Sequence, residues 1–272
     1  MATTTSKFLL GLHEGYGSAA TFTGSAQTGF PASNLADWSI FNKRWRGPTG
    51  SLSALDVDMD LGANVEANVI ILAAVNLTLA ATYRLRAGTV SGFGSGVVID
   101  TTATPIACFN ASLGPLVEVP RPHGRHVIYV AASSVTFRYV RWTLTDAANP
   151  DNYLSAAFGR VTLGFQPGLN MHEGWERSAK VIGAPGAQKM LRGHRTRLHR
   201  VTRAEAAKFE SIAETATETR RLLVLPEPLA PETHLDDAIV ATCEGSLRRQ
   251  KVPRTTSPVR YEIEGTFREV ER

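Results

Sequence analysis

The chain lacks several things that would fix its class at once. Its 272 residues contain no run of 18 apolar residues, so no helix is expected to span a membrane. There are only two cysteines, Cys108 and Cys243. They lie far apart and show neither metal-ligand spacing nor a disulfide framework, so both are expected as buried thiols. Charge of one sign is scarce. Twenty-nine Lys and Arg face 25 Asp and Glu for a net charge of +4, too small a surplus to indicate nucleic acid as a partner. The apolar stretch Phe8 to Leu12 is too short for the h-region of a secretion signal, with only Lys7 before it. What is present excludes general disorder: 43% of the residues are hydrophobic and 20% charged, over a length that can hold two modest cores.

The first half alternates with a period of two. Leu55, Val57, Met59 and Leu61 fall on one face, Asp56, Asp58 and Asp60 on the other, which predicts a half-buried strand. Val69 to Val75 is apolar throughout and predicts a strand buried on both faces. Tyr83, Leu85 and Ala87 alternate with Arg84 and Arg86. Gly88 to Gly96 reads as a loop, followed by a short strand at Val97 to Ile99. His126 to Val130 and Phe137 to Leu144 predict two more strands, the second with Val140, Trp142 and Leu144 facing the core. Many short strands between turn signals suggest a sandwich.

Several local patterns extend this reading. Asn34-Leu35-Ala36-Asp37, Trp45, Val57-Asp58-Met59-Asp60-Leu61-Gly62, Asn76 and Tyr83-Arg84-Leu85-Arg86-Ala87 together resemble a discoidin-type, galactose-binding-like jelly roll. Tyr139 to Asp146 and Gly159 to Gly164 are similar to the variants found in bacteriophage tail proteins. This resemblance covers roughly residues 20–168 and implies that Trp45 plugs the sandwich core.

The second half differs. Thr202-Arg203-Ala204-Glu205 fits a capping box, and Ala206, Phe209, Ala213 and Ala216 follow on one helical face with Ile212 beside them. Leu222 to Leu225 and Ala238 to Cys243 predict strands. In the last strand Val259, Tyr261, Ile263 and Phe267 alternate with charged residues, and Gly265 on the apolar face marks a bulge or close approach. The fold class expected is therefore mainly β: a jelly-roll β-sandwich over 1–168, then a smaller α+β domain with one principal helix over 169–272. The later part, ending in Phe267-Arg268-Glu269, resembles the C-terminal part of phage minor tail and tail-tip proteins.

Three groups carry the candidate contacts. Trp38, Phe41, Arg44, Trp45 and Arg46 group aromatic rings with guanidinium groups, which suits sugar stacking or a protein interface. Lys189, Arg192, Arg195, Arg197, Arg200 and Arg203, with His194 and His199, form a run that no carboxylate interrupts. Arg248, Arg249, Lys251 and Arg254 form a second cluster. These are either solvated faces balanced by acids elsewhere or a surface for an acidic partner. The lack of interleaved aromatics in the first run turns the reading from nucleic acid toward protein.

No catalytic or metal motif stands out. Asp56, Asp58 and Asp60 fail as a calcium loop, because Leu61 and Ala67 occupy the positions that need Gly and Glu. Gly92-Phe93-Gly94-Ser95-Gly96 matches neither a nucleophile elbow nor a dinucleotide fingerprint. His123 and His126 read as turn histidines rather than zinc ligands. No metal, cofactor or enzymatic activity is expected. The resemblances imply a structural component of a phage tail tip or baseplate, made in the bacterial cytoplasm and carried on the virion. Its partners would be other tail proteins and copies of itself. The alternative is a carbohydrate-binding module that contacts a glycan of the host surface.

Overall fold

The computed structural model describes residues 9–12, 20–37, 43–108, 125–164, 171–182, 189–215, 222–225, 239–251 and 261–269. In chain order the elements are β1 (Leu9–Leu12), β2 (Thr21–Gly24), β3 (Trp45–Arg46), β4 (Leu55–Val75), β5 (Thr82–Gly88), β6 (Val97–Asp100), β7 (Ile106–Ala107), β8 (Arg125–Thr145), β9 (Ser155–Ala156), β10 (Phe158–Thr162), β11 (Met171–Ile182), β12 (Lys189–Val201), α1 (Arg203–Thr215), β13 (Leu222–Leu225), β14 (Ile239–Lys251) and β15 (Tyr261–Glu269). Mainly antiparallel β structure with one helix among the described residues is the fold class the alternation predicts.

Two compact units divide the chain: Glu14–Leu163, and Met1–His13 joined to Gly164–Arg272. The boundary differs from the expected 1–168. β1 belongs to the second unit because its residues pair along β13, with Leu9 opposite Leu225 and Leu12 opposite Leu222. The sandwich is thus an insertion into the chain of the α+β unit.

In the sandwich unit β4 and β8 run antiparallel over their whole length, from Leu55 opposite Leu144 to Val75 opposite Arg125. The sequence patterns over 55–61 and 69–75 are two halves of one strand, as are 126–130 and 137–144. The register shifts between Asp60 and Val65, and again between Ala67 and Val69. Four residues oppose one at each shift, bulges of the kind that bend and twist a ladder locally. Gly62, at φ +80°, sits within the first. Before the bends β4 alternates, with Val57 and Met59 buried. After them Val69 to Val75 is buried on both faces, as its apolar run predicts. β2 pairs with the first half of β4, β10 with the second, and β5 with β8, while β6 and β7 flank β5. Trp142, Phe137, Phe158 and Trp45 fill the core. His126 lies in β8, not in a turn, and its Nδ1 accepts the Ala74 amide at 3.1 Å. His123 lies outside the described residues.

Arg160 of β10 is fully buried. Its guanidinium donates to the Leu35 carbonyl at 3.2 Å and the Ala36 carbonyl at 2.7 Å, tying the 3₁₀ turn Ala32–Ala36 to the sandwich. Burial pulls its pKa down to about 10. Cys108 and Cys243 form no disulfide and are half-buried rather than fully buried, and burial pushes both thiols up.

The α+β unit is a six-stranded sheet in the order β1-β13-β14-β15-β12-β11. The capping box forms as its sequence predicts: the Thr202 amide donates to Glu205 Oε2 at 2.7 Å, and the Glu205 amide to Thr202 Oγ1 at 3.2 Å. Ala206 and Phe209 of α1 pack on Leu222, Val224, Ala241, Ile263 and Phe267. Phe209 and Phe267 meet edge to face at 6.1 Å, a contact worth about 0.5–1.5 kcal/mol beyond its area. β14 bulges between Glu244 and Arg248, directly opposite Gly265, where the sequence predicts an irregularity.

Deleting residues 1–13 removes one edge of that sheet. In hydrogen exchange of the shortened chain, residues 222–225 and 239–251 are expected to lose protection, whereas 55–75 and 125–145 keep theirs. Loss across both units would contradict this division.

Candidate functional site

The aromatic and arginine cluster that the sequence singles out is largely structural. Trp45 is fully buried, its Nε1 donating to the Ser25 carbonyl at 3.1 Å, so it offers nothing to a ligand and plugs the core. Arg44 donates through Nη1 to the Ala74 carbonyl at 2.9 Å, and burial draws its pKa down. The Arg46 guanidinium lies 3.9 Å from the Phe30 ring centroid and 5.0 Å from that of Tyr153. Such contacts brace loops. Trp38 and Phe41 lie outside the described residues.

The basic run is distributed along β12, except for Arg203, which begins α1. Lys189, Arg195 and Arg197 share one parity of the strand, Arg192 and Arg200 the other. Arg195 stands opposite Glu176 of β11 and Thr266 of β15, and Arg197 opposite Glu264, which also faces Arg248 of β14. In register, the run therefore meets both acidic positions (Glu176, Glu264) and basic ones (Arg177, Arg268) of its neighbouring strands.

A better-built arrangement lies on the outer face of the sandwich. Pairing of β4 with β8 sets Asp56 opposite Thr143, Asp58 opposite Arg141 and Asp60 opposite Tyr139. The Thr143 hydroxyl donates to Asp56 at 2.6 Å. Arg141 grips Asp58 with Nε at 2.5 Å and Nη2 at 2.6 Å, and Arg138 grips Asp60 with Nε at 2.7 Å and Nη2 at 2.9 Å. These are two-pronged guanidinium–carboxylate pairs. The Arg141 and Asp58 side chains are 25% and 34% exposed, so that pair contributes at most about 1 kcal/mol. Geometry, more than stability, is what they supply.

The row continues across the sheet. Asp58 of β4 faces Thr23 of β2, Arg141 of β8 faces Arg86 of β5, and Arg86 faces Asp100 of β6. Two cations therefore sit side by side between two carboxylates. Over them lies Phe93, whose ring centroid is 5.1 Å from the Arg86 guanidinium and 5.5 Å from that of Arg141. Phe93 comes from the turn Ser91–Phe93 between β5 and β6, where Gly92 has φ +76° and Phe93 itself φ +59°. A phenylalanine in the left-handed region is strained, and the contacts with the two arginines offset that cost.

Phe93, Thr21, Thr23, Asp58, Asp60 and Tyr139 line a cleft of about 360 Å³ on this face. The threonines are exposed, whereas Phe93 and Tyr139 are half-buried. Among the described residues no group of three His, Cys, Asp or Glu is placed to hold a metal ion. The cleft escapes a reading of sequence alone because its residues come from four segments. Its signal is there nonetheless: the outward positions of β4 are acidic and those of β5 and β8 carry Arg84, Arg86 and Arg141. Only the register joins them.

The Asp60 carboxyl is held below the ordinary range, first by its hydrogen bonds from Arg138 and further by the Gly62 amide. A carboxylate with a depressed folded-state pKa stabilises the fold above its unfolded value, and that contribution disappears as pH falls through the folded one. Carboxyl NMR should therefore show Asp60 titrating below the ordinary aspartate value of about 3.9. Arg138→Gln should move it upward. An unchanged titration in that variant would remove the pair from the account.

No protein-family model matches the chain, and no curated protein matches it. Among solved structures it is similar to the Clostridium perfringens module CpGH89CBM32-4, at 14% identity over 55% of this chain and 99% of that one, with a TM-score of 0.38. It is similar to the family 32 CBM from C. perfringens NanJ in complex with galactose, at 15% identity over 56% and 98%, TM-score 0.38. It is also similar to a Ruminococcus gnavus GH29 fucosidase in complex with fucose, at 11% identity and TM-score 0.40, where 57% of this chain spans 28% of that chain.

Proposed function

We propose that this chain is a non-catalytic carbohydrate-binding protein whose sandwich holds a glycan in the cleft beside Phe93. The convergence of Phe93 and Tyr139 with the oxygens of Thr21, Thr23, Asp58 and Asp60 in one cleft carries this reading. A pyranose presents a patch of C–H groups on one face and hydroxyls around its rim. Aromatic rings take the first and oxygen acceptors the second. A carboxylate gripped by one guanidinium keeps lone pairs for further donors, and the arginines fix its orientation before the ligand arrives.

The same geometry speaks against glycoside hydrolysis. A catalytic acid needs a carboxyl whose pKa is raised toward neutrality. Asp60 is pushed the other way by its hydrogen bonds from Arg138.

A second reading concerns where the protein works. The sandwich interrupts another unit, between β1 and β11, the two outer strands of the six-stranded sheet. Such an insertion suits a mount that displays a binding domain. The tail tip or baseplate of a bacteriophage, with other tail proteins and further copies as partners, is the setting in which host attachment would use both. Electron microscopy of particles labelled on this protein tests that location.

A glycan array probed with the full chain tests the binding itself. Saturable binding is expected for at least one glycan class. Phe93→Ala should weaken it tenfold or more, about 1.4 kcal/mol, without a change in melting temperature. Absence of binding to every glycan, or undiminished binding by the Phe93 variant, contradicts the proposal.

A further inference from the structure

The outer face of the sandwich is balanced in number but not in pairing. Asp56, Asp58 and Asp60 are engaged by Thr143, Arg141 and Arg138. Arg84 and Arg86 of β5 have no such partner: neither guanidinium makes a hydrogen bond or ion pair to a described residue. For Arg86 this is not for want of a neighbour. Asp100 stands directly opposite, but its carboxylate caps the Thr102 amide at 2.8 Å and makes no ion pair with Arg86, while the Arg86 guanidinium lies against Phe93. Hydrogen bonds from Thr102 first, and the Arg86 charge after them, hold that carboxyl low. On the other side Arg86 faces Arg141, a like charge on the adjacent strand, and like charges directly opposite one another are unfavourable. Arg84 and Arg86 are two residues apart on one strand, so they share a face at about 6.6 Å spacing. Arg84 is exposed and faces uncharged Thr143. The cleft ends at Arg141 and Phe93, and Arg86 abuts both.

We infer that Arg84 and Arg86 form an anion subsite continuous with the cleft, so that the ligand is an acidic glycan carrying a carboxylate or phosphate group. A guanidinium presents a planar fork of donors that matches either group two-pronged. An anion seated there would add a counter-charge beside the adjacent Arg86 and Arg141 guanidinium groups. The acidic side of the cleft, with Asp58, Asp60 and the two threonines, would meanwhile accept the hydroxyls of the same chain. This rests on the carbohydrate-binding reading and assigns the charge its ligand must bear.

The test compares oligogalacturonate with its methyl ester, the same sugar chain with the charge removed, by calorimetry on the full chain. The acid should bind at least tenfold more tightly at low salt, and the difference should shrink as ionic strength rises and screens the contact. Arg84→Gln, at an exposed position that spares the Phe93 contact, should reduce the advantage severalfold and leave ester binding unchanged. Arg84→Gln with Arg86→Gln should abolish it. Ester binding as tight as acid binding, or an advantage that survives both substitutions, overturns the subsite while the carbohydrate reading stands. So does binding of neither probe when other glycans bind the array. Inorganic phosphate binding alone as tightly as the acid also overturns it, since the site would then be one for free anions. Binding of neither probe and of no array glycan overturns the carbohydrate reading itself.

Discussion

Pairing of β4 with β8 decides where nearly everything else in the sandwich lies. Both strands alternate with a period of two. Once Val57 and Met59 are committed to the core with Val140 and Trp142, Asp56, Asp58 and Asp60 must share the outer face with Thr143, Arg141 and Tyr139. A slip of one residue would bury the aspartates if β4 moved, or expose the tryptophan if β8 did. The hydrophobic cost of that error is large, whereas the ion pairs are each worth little. The core therefore sets the register, and the register sets the charges. The two guanidinium–carboxylate grips are a consequence of packing that then becomes useful, because they hold charged groups in fixed orientations beside a cleft.

Phe93 depends on the same register. Its left-handed backbone is tenable because two guanidinium groups, brought side by side by the pairing of β5 with β8, lie against its ring. The glycine-rich loop is thereby held against the sheet. Aromatic surface that would be expelled from solvent in a freely closing loop is instead kept at the cleft.

Much of this fold is written locally. The alternation at Leu55 to Leu61, the apolar run at Val69 to Val75, the capping box at Thr202 and Glu205 and the final strand around Ile263 and Phe267 each follow from side chains close in sequence, which is why they are legible without coordinates. Trp45 as a core plug is legible through the family resemblance. What is not legible is whatever depends on residues far apart. That β1 joins β13, more than 200 residues away, has no local signature. Nor does the opposition of Glu176 and Glu264 to Arg195 and Arg197. Asp58 and Arg141 announce nothing separately, because a charged residue on the outward side of a strand is the ordinary case. The candidate site is therefore invisible at the level of motifs and appears only when two registers are read together.

The central claim is that binding occurs on this sheet face, at the cleft beside Phe93, and not at the loops around Arg44 and Arg46. Amide chemical-shift mapping of the isotopically labelled chain during titration with a bound oligosaccharide tests it most directly. The account predicts shifts concentrated at Thr21, Thr23, Asp58, Asp60, Phe93, Tyr139 and Arg141. Shifts confined to Phe30, Arg44, Arg46 and Tyr153, with the sheet face unmoved, would contradict it.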